Sequence, residues 1–138
     1  MIQAISIRFR RLLCCAALLL TPNALAECTL GTPVFTEGGP YLYIFDLEQG
    51  VQVPFNCTAG ETPLLSLSSS GGVLDVLNNR FEGFLRNGTE KLSYSVPNAQ
   101  RTLEVGVKSV VLLLRIPKNQ WSAPSQKYSD TLTVTLTF

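Results

Sequence analysis

The sequence predicts an all-β fold, a β-sandwich of short strands, and three observations carry that expectation. Apolar residues recur at every second position in one stretch after another, the period of a strand with one buried face. Turn-forming residues separate these stretches about every eight to twelve positions. No stretch has a convincing helical period. The one rival, residues 103–116, is rich in β-branched valine and contains Gly106, and both disfavour helix.

The clearest strand is the last. Tyr128 to Phe138 reads Y-S-D-T-L-T-V-T-L-T-F. From Thr131 onward, threonine alternates with Leu132, Val134, Leu136 and Phe138, so these four apolar side chains are expected on the buried face. β-branched residues hold five of the last eight positions, which suits a pleated surface. The sequence stops on an apolar residue of this strand, with no turn towards another. Such a strand is either the ordinary edge of a complete sandwich or the wall of a gap that another strand fills. With no charge after Asp130, it invites pairing with a further chain.

At the other end, Arg8, Arg10 and Arg11 precede an apolar run from Leu12 to Leu20, and Ala24-Leu25-Ala26 ends the segment. A basic region, a short apolar run and a small-x-small site are the layout of a secretory signal peptide. The run is too short for a stable membrane anchor. Residues 1–26 are therefore expected to be a leader, and residues 27–138 the exported domain. That leaves 112 of the 138 residues, one domain with its own core. Removing three arginines from eleven basic side chains leaves eight against ten acidic ones, a net charge of −2. Nothing in that balance points to nucleic acid or to an anionic membrane surface, and no stable membrane insertion of the mature chain is expected.

Two cysteines remain in the exported domain, Cys28 and Cys57. In a secreted domain they read as one disulfide, closing a loop of about 30 residues worth roughly 3.6 kcal/mol in the chain-entropy model.

Strand follows strand from there. Cys28 to Phe35 is a first strand broken by Pro33, and Gly38-Gly39-Pro40 is a turn. Tyr41 to Leu47 is apolar and aromatic, and Glu48-Gln49-Gly50 reads as a turn. Val51, Val53, Phe55 and Cys57 alternate as a strand with the cysteine on its buried face. Thr58-Ala59-Gly60-Glu61 turns. Leu65 and Leu67 alternate with serines, and Ser68 to Gly72 closes that strand. Val73 to Leu77 fits a short strand or a helical turn. Arg80 to Leu85 is a strand, and Asn87-Gly88 marks a tight turn. Leu92, Tyr94 and Val96 alternate, as do Leu103, Val105 and Val107, and Val110 to Ile116 is a continuous apolar run. Residues 117–126 are polar and loop-like apart from Trp121.

Catalysis has little support. The chain has no histidine, so no His-based triad and no imidazole metal ligand, and no metal or cofactor is expected. Asp46, Glu48, Asp75, Glu82, Glu90 and Asp130 are scattered in turn-like stretches and read as solvated surface rather than a carboxylate pair. Tyr41, Tyr43 and Phe45 are candidates for a carbohydrate platform, although at least one face of them is expected in the core.

Three segments resemble the spore coat protein U domain, shared with subunits of archaic chaperone–usher pili. They are V-x-V-x-F-x-C-T-A-G from Val51 to Gly60, L-S-Y-S-V from Leu92 to Val96, and the terminal Y-S-D-T-L-T-V-T-L-T-F with Tyr128, Asp130 and Thr131. The resemblance implies an immunoglobulin-like sandwich lacking its last strand. It implies a periplasmic pilus chaperone that lends a strand to the gap, an outer-membrane usher, and neighbouring pilus subunits that donate the strand in the fibre. Leu132, Val134, Leu136 and Phe138 would line the strand-exchange groove, and basic residues of the chaperone would hold the carboxylate of Phe138. The expected location is the periplasm in transit and then the cell surface or pilus. The alternative is a self-contained secreted β-sandwich module that binds carbohydrate or a surface polymer.

Overall fold

The computed structural model describes residues 2–5, 8–9, 28–35, 41–58, 62–120 and 127–138. Among the described residues all regular structure is β. The strands are β1 (Ile2–Ile5), β2 (Arg8–Phe9), β3 (Cys28–Leu30), β4 (Val34–Phe35), β5 (Leu47–Cys57), β6 (Leu64–Ser69) and β7 (Val73–Asp75). They continue with β8 (Arg80–Asn87), β9 (Glu90–Pro97), β10 (Arg101–Thr102), β11 (Ser109–Ile116), β12 (Tyr128–Asp130) and β13 (Leu132–Thr137). The larger sheet has the order β1-β12-β8-β9-β11-β5-β3, with β4 also on β5 and β7 on β8; the smaller has the order β10-β6-β13-β2. Pairing is antiparallel except for β1 on β12 and β2 on β13, which are parallel.

One apolar core lies between the sheets. Val51, Val53 and Phe55 of β5, Phe81 and Leu85 of β8, Leu92, Tyr94 and Val96 of β9, and four residues of β11 line it from the larger sheet. Leu65 and Leu67 of β6 and Leu132, Val134 and Leu136 of β13 close it from the smaller. Period-two alternation in each strand delivers these side chains to one face. In β11 the rule holds inside a continuous apolar run: Val110, Leu112, Leu114 and Ile116 are buried, whereas Val111 is exposed. The run therefore belongs to a strand with one wet face. On that outer face Arg115 pairs with Glu48 at 2.8 Å, and the two residues are cross-strand partners.

Several local expectations are corrected. Glu48-Gln49-Gly50 is not a turn but the start of β5, where all three residues pair with β11 from Leu113 to Arg115. Turn-type composition yields there to eight consecutive cross-strand pairs. Only Leu103 of the trio Leu103, Val105 and Val107 is buried; the chain turns at Gly106, whose φ is +83°, and the two valines are exposed. The open alternative at Val73 to Leu77 resolves into the short strand β7 followed by a turn at residues 76–79, where the Asp75 carboxylate accepts hydrogen bonds from Asn78. Those bonds hold the Asp75 pKa below its usual value.

Other expectations stand. The first strand breaks at residues 31–33 between β3 and β4. Asn87 and Glu90 close the β8–β9 hairpin over Gly88 and Thr89, and Gly88 takes the positive φ (+58°) that a primed hairpin turn needs at its first loop position. The turns expected at residues 38–40 and 59–61, together with Trp121 and the rest of 121–126, lie outside the described residues.

Cys28 and Cys57 are bonded and are register partners in the β3–β5 pair, with Cys28 buried and Cys57 half-buried. The bridge pins a three-residue strand to the long β5. Replacing both cysteines by serine is expected to lower stability by about 3 kcal/mol, measured by denaturant unfolding of the oxidised protein and the variant.

Candidate functional site

The last strand builds the candidate site. β12 pairs with β8 in the larger sheet through Ser129 opposite Arg86. Two residues later the same chain has left that sheet, and β13 runs along β6 in the smaller one, from Leu132 opposite Ser69 to Thr137 opposite Leu64. The side-chain alternation survives the change of sheet. Tyr128, Leu132, Val134 and Leu136 are buried, and Asp130 falls in the same phase at the corner between the sheets. Apolar stands opposite apolar (Val134 with Leu67, Leu136 with Leu65), and hydroxyl opposite hydroxyl (Thr133 with Ser68, Thr135 with Ser66).

Asp130 is the polar residue at the switch. One carboxylate oxygen accepts the Thr131 N–H at 2.8 Å, just where the backbone lies between the two sheets. The other accepts the Tyr94 hydroxyl at 2.6 Å. Tyr94 belongs to β9, one strand beyond β8, so its ring must cross β8 to reach the corner. It does so over Gly83, its register partner; a Cβ at Gly83 would come within 2.8 Å of the Tyr94 ring. Phe81 packs beside it, with ring centroids 6.1 Å apart. Burial first, and then the Asp130 carboxylate, push the Tyr94 hydroxyl far above its usual pKa. Burial likewise raises that of Tyr128.

On its inner side, then, the strand Tyr128–Thr137 is paired with β8 and β6. On its outer side the described partners are β1 and β2 alone. Both belong to the segment expected to be a leader; here they are strands. Sequence reading passed over this segment, although Ile5-Ser6-Ile7-Arg8-Phe9-Arg10 alternates apolar with polar and could have signalled it.

Of the residues expected in the groove, Leu132, Val134 and Leu136 lie together in the core. Phe138 does not: it follows the end of β13 and is 56% exposed. The alternation reaches it, but β6 ends opposite Thr137, so Phe138 lies beyond the last pair of the ladder. Of the terminal residues singled out for the resemblance, Tyr128 is buried, and Asp130 and Thr131 are half-buried at the switch.

Of the scattered carboxylates, Asp46, Glu48 and Glu82 line one open pocket beside Arg80 and Arg115, and each has a partner. Asp46 accepts the Lys118 N–H, Glu48 pairs with Arg115, and Glu82 pairs with Arg80. Among the described residues no group of three acidic or cysteine side chains could hold a metal. Tyr41 packs against the core and donates its hydroxyl to the Pro117 carbonyl, whereas Tyr43 and Phe45 are exposed in a turn. No protein-family model matches the chain, and neither does any curated protein or solved structure.

Val134→Asp is expected to prevent stable folding, because it buries a charge opposite Leu67. Thr133→Asp, half-buried on the other face, should be tolerated far better; thermal unfolding of the two variants measures the difference. Tyr94→Phe should cost about 1–3 kcal/mol at neutral pH through loss of the bond to Asp130. The raised pKa adds a sign. The contribution of the neutral hydroxyl is fully present below the unfolded tyrosine pKa of about 10 and is lost as pH rises above it. The stability gap between the native protein and Tyr94→Phe should therefore narrow when urea unfolding is repeated near pH 11.

Proposed function

We propose that this chain is the precursor of an exported structural or adhesive subunit, of the chaperone–usher pilus or surface-coat type, that assembles by accepting a strand from a partner. One observation carries the reading. Within residues 28–138, no described segment covers the outer edge of β12–β13, while the same strand supplies core residues to the smaller sheet and bridges to the larger. Strand addition needs such an edge: main-chain hydrogen bonds give affinity and alternating side chains set the register. The resemblance to the spore coat protein U domain supports the reading from an independent side. Two of its three segments meet in the molecule, Tyr94 of L-S-Y-S-V bonding Asp130 of Y-S-D-T-L.

The partners of this reading are a periplasmic chaperone that covers the edge in transit, an outer-membrane usher, and a neighbouring subunit that covers it in the fibre. A cut after Ala26 leaves one residue, Glu27, before Cys28, too little for a donor strand. The subunit accordingly accepts and does not donate, the behaviour of a fibre tip.

A self-contained binding module is the second reading. Its support is the turn Leu42-Tyr43-Ile44-Phe45, whose four side chains are exposed and whose backbone is tied down by the Asn119 N–H bonding the Tyr43 carbonyl at 2.8 Å.

One experiment separates the two. Residues 27–138, produced in an oxidising compartment, should be unstable or aggregated alone and should form a one-to-one complex with a pilus chaperone or a synthetic donor peptide, gaining thermal stability from it. A stable monomer that gains nothing would favour the module. Homopolymers seen by electron microscopy would remove the tip assignment.

A further inference from the structure

We propose that the outer edge of β12–β13 takes a partner strand running parallel to it and changing sheet with it, and that the leader strands Ile2–Ile5 and Arg8–Phe9 are its first occupants, closing the edge in cis until the leader is cut away. The inference deepens the strand-acceptor reading above and rests on it.

Register is the main support. Ile5 stands opposite Asp130, Arg8 opposite Thr133 and Phe9 opposite Val134, a constant offset of 125 positions. The offset is therefore the same on both sides of the sheet switch at Thr131, as one strand following another would keep it. Ile2 opposite Tyr128 has an offset of 126, so the leader carries one extra residue, a bulge, before Ile5. Bulges bend a strand and increase its twist, and this one lies beside the corner where β12 gives way to β13.

The sequence matches the register. Arg8 is set against a threonine and Phe9 against a core valine, in phase with the alternation of β13. A segment that served only to target the chain would need a positive charge there, not an alternating one. The chemistry of the edge supplies the drive. An uncovered strand edge is a template for any extended segment of suitable pattern, and a tethered one has the highest effective concentration. Cleavage after Ala26 would turn that tethered strand into a free peptide and so make the edge available to other strands.

The test uses the full chain with Cys14→Ser and Cys15→Ser. With Arg8→Cys and Thr133→Cys added, mild oxidation should link the two positions, detected by mass spectrometry of the digest. With Ile2→Cys and Thr133→Cys instead, the link should be absent, because that pair meets only if the leader runs antiparallel. A link in the second protein, or in neither, overturns the inference. Ile5→Pro supplies a second measure, since proline cannot donate to a ladder and a leader strand should lose its place. In the full chain it should lower the melting temperature and raise the uptake of a synthetic peptide of residues 1–11. A melting temperature and uptake equal to those of the unsubstituted chain would overturn the inference. If residues 27–138 take a strand from a chaperone while the Arg8–Thr133 link fails to form, the acceptor reading stands and the leader's part in it falls.

Discussion

At Asp130 the last strand leaves one sheet for the other, and the rest of the architecture is arranged around that step. A backbone crossing between sheets passes through a point where neither ladder can satisfy it. Asp130 answers this locally by accepting the Thr131 N–H. Its second oxygen is held by Tyr94, which reaches across β8 because Gly83 leaves room for the ring. The switch is thus tied to β9, two strands into the larger sheet, rather than hanging on the short β12 alone. The three residues of β12 could not hold that edge by ladder bonds; the tyrosine brace and the buried ring of Tyr128 add what the ladder lacks.

A strand shared by two sheets has one inner side and one outer side in both. The inner side is complete, with β8 behind β12 and β6 behind β13. The outer side therefore runs as a single edge from Tyr128 to Thr137, longer than the part of it that lies in either sheet. Proteins blunt long edges with charge, proline or a covering segment. Along residues 131–137 there is neither charge nor proline, so covering is what remains. The parallel strands β1 and β2 do that in the full chain, and in the proposed assembly other strands take their place. The disulfide serves a similar end at the far side of the larger sheet, where it fastens the three-residue β3 to β5.

Much of the core was legible from alternation alone. Val51, Val53 and Phe55, Leu65 and Leu67, Leu92, Tyr94 and Val96, and Leu132, Val134 and Leu136 are buried as their spacing implies, because a strand has only two faces and the period names the apolar one. Alternation misleads where a strand has no neighbour to continue against. Val105 and Val107 follow the pattern of Leu103, yet the chain turns at Gly106 and leaves them exposed. Phe138 follows the pattern of Leu136, yet β6 has ended. Turn-like composition misleads in the opposite way at Glu48-Gln49-Gly50, where pairing along β11 outweighs weak local preference. At residues 2–9 the basic charge drew attention from the alternation that runs through it.

The amino-acid sequence by itself determined the all-β class, the faces of the strands, the Asn87-Gly88 hairpin and the identity of the two bridged cysteines, since each follows from period, backbone preference or count over a few residues. Only the tertiary structure decided that the terminal strand serves both sheets, that Tyr94 reaches Asp130 across Gly83, and that Ile2–Ile5 and Arg8–Phe9 lie parallel along its outer edge. Those are relations between segments far apart in the chain. Local periodicity says which face of a strand is apolar, but not which strand lies beside it: that is decided by register, by the length of the neighbouring strands and by the room left at a single glycine.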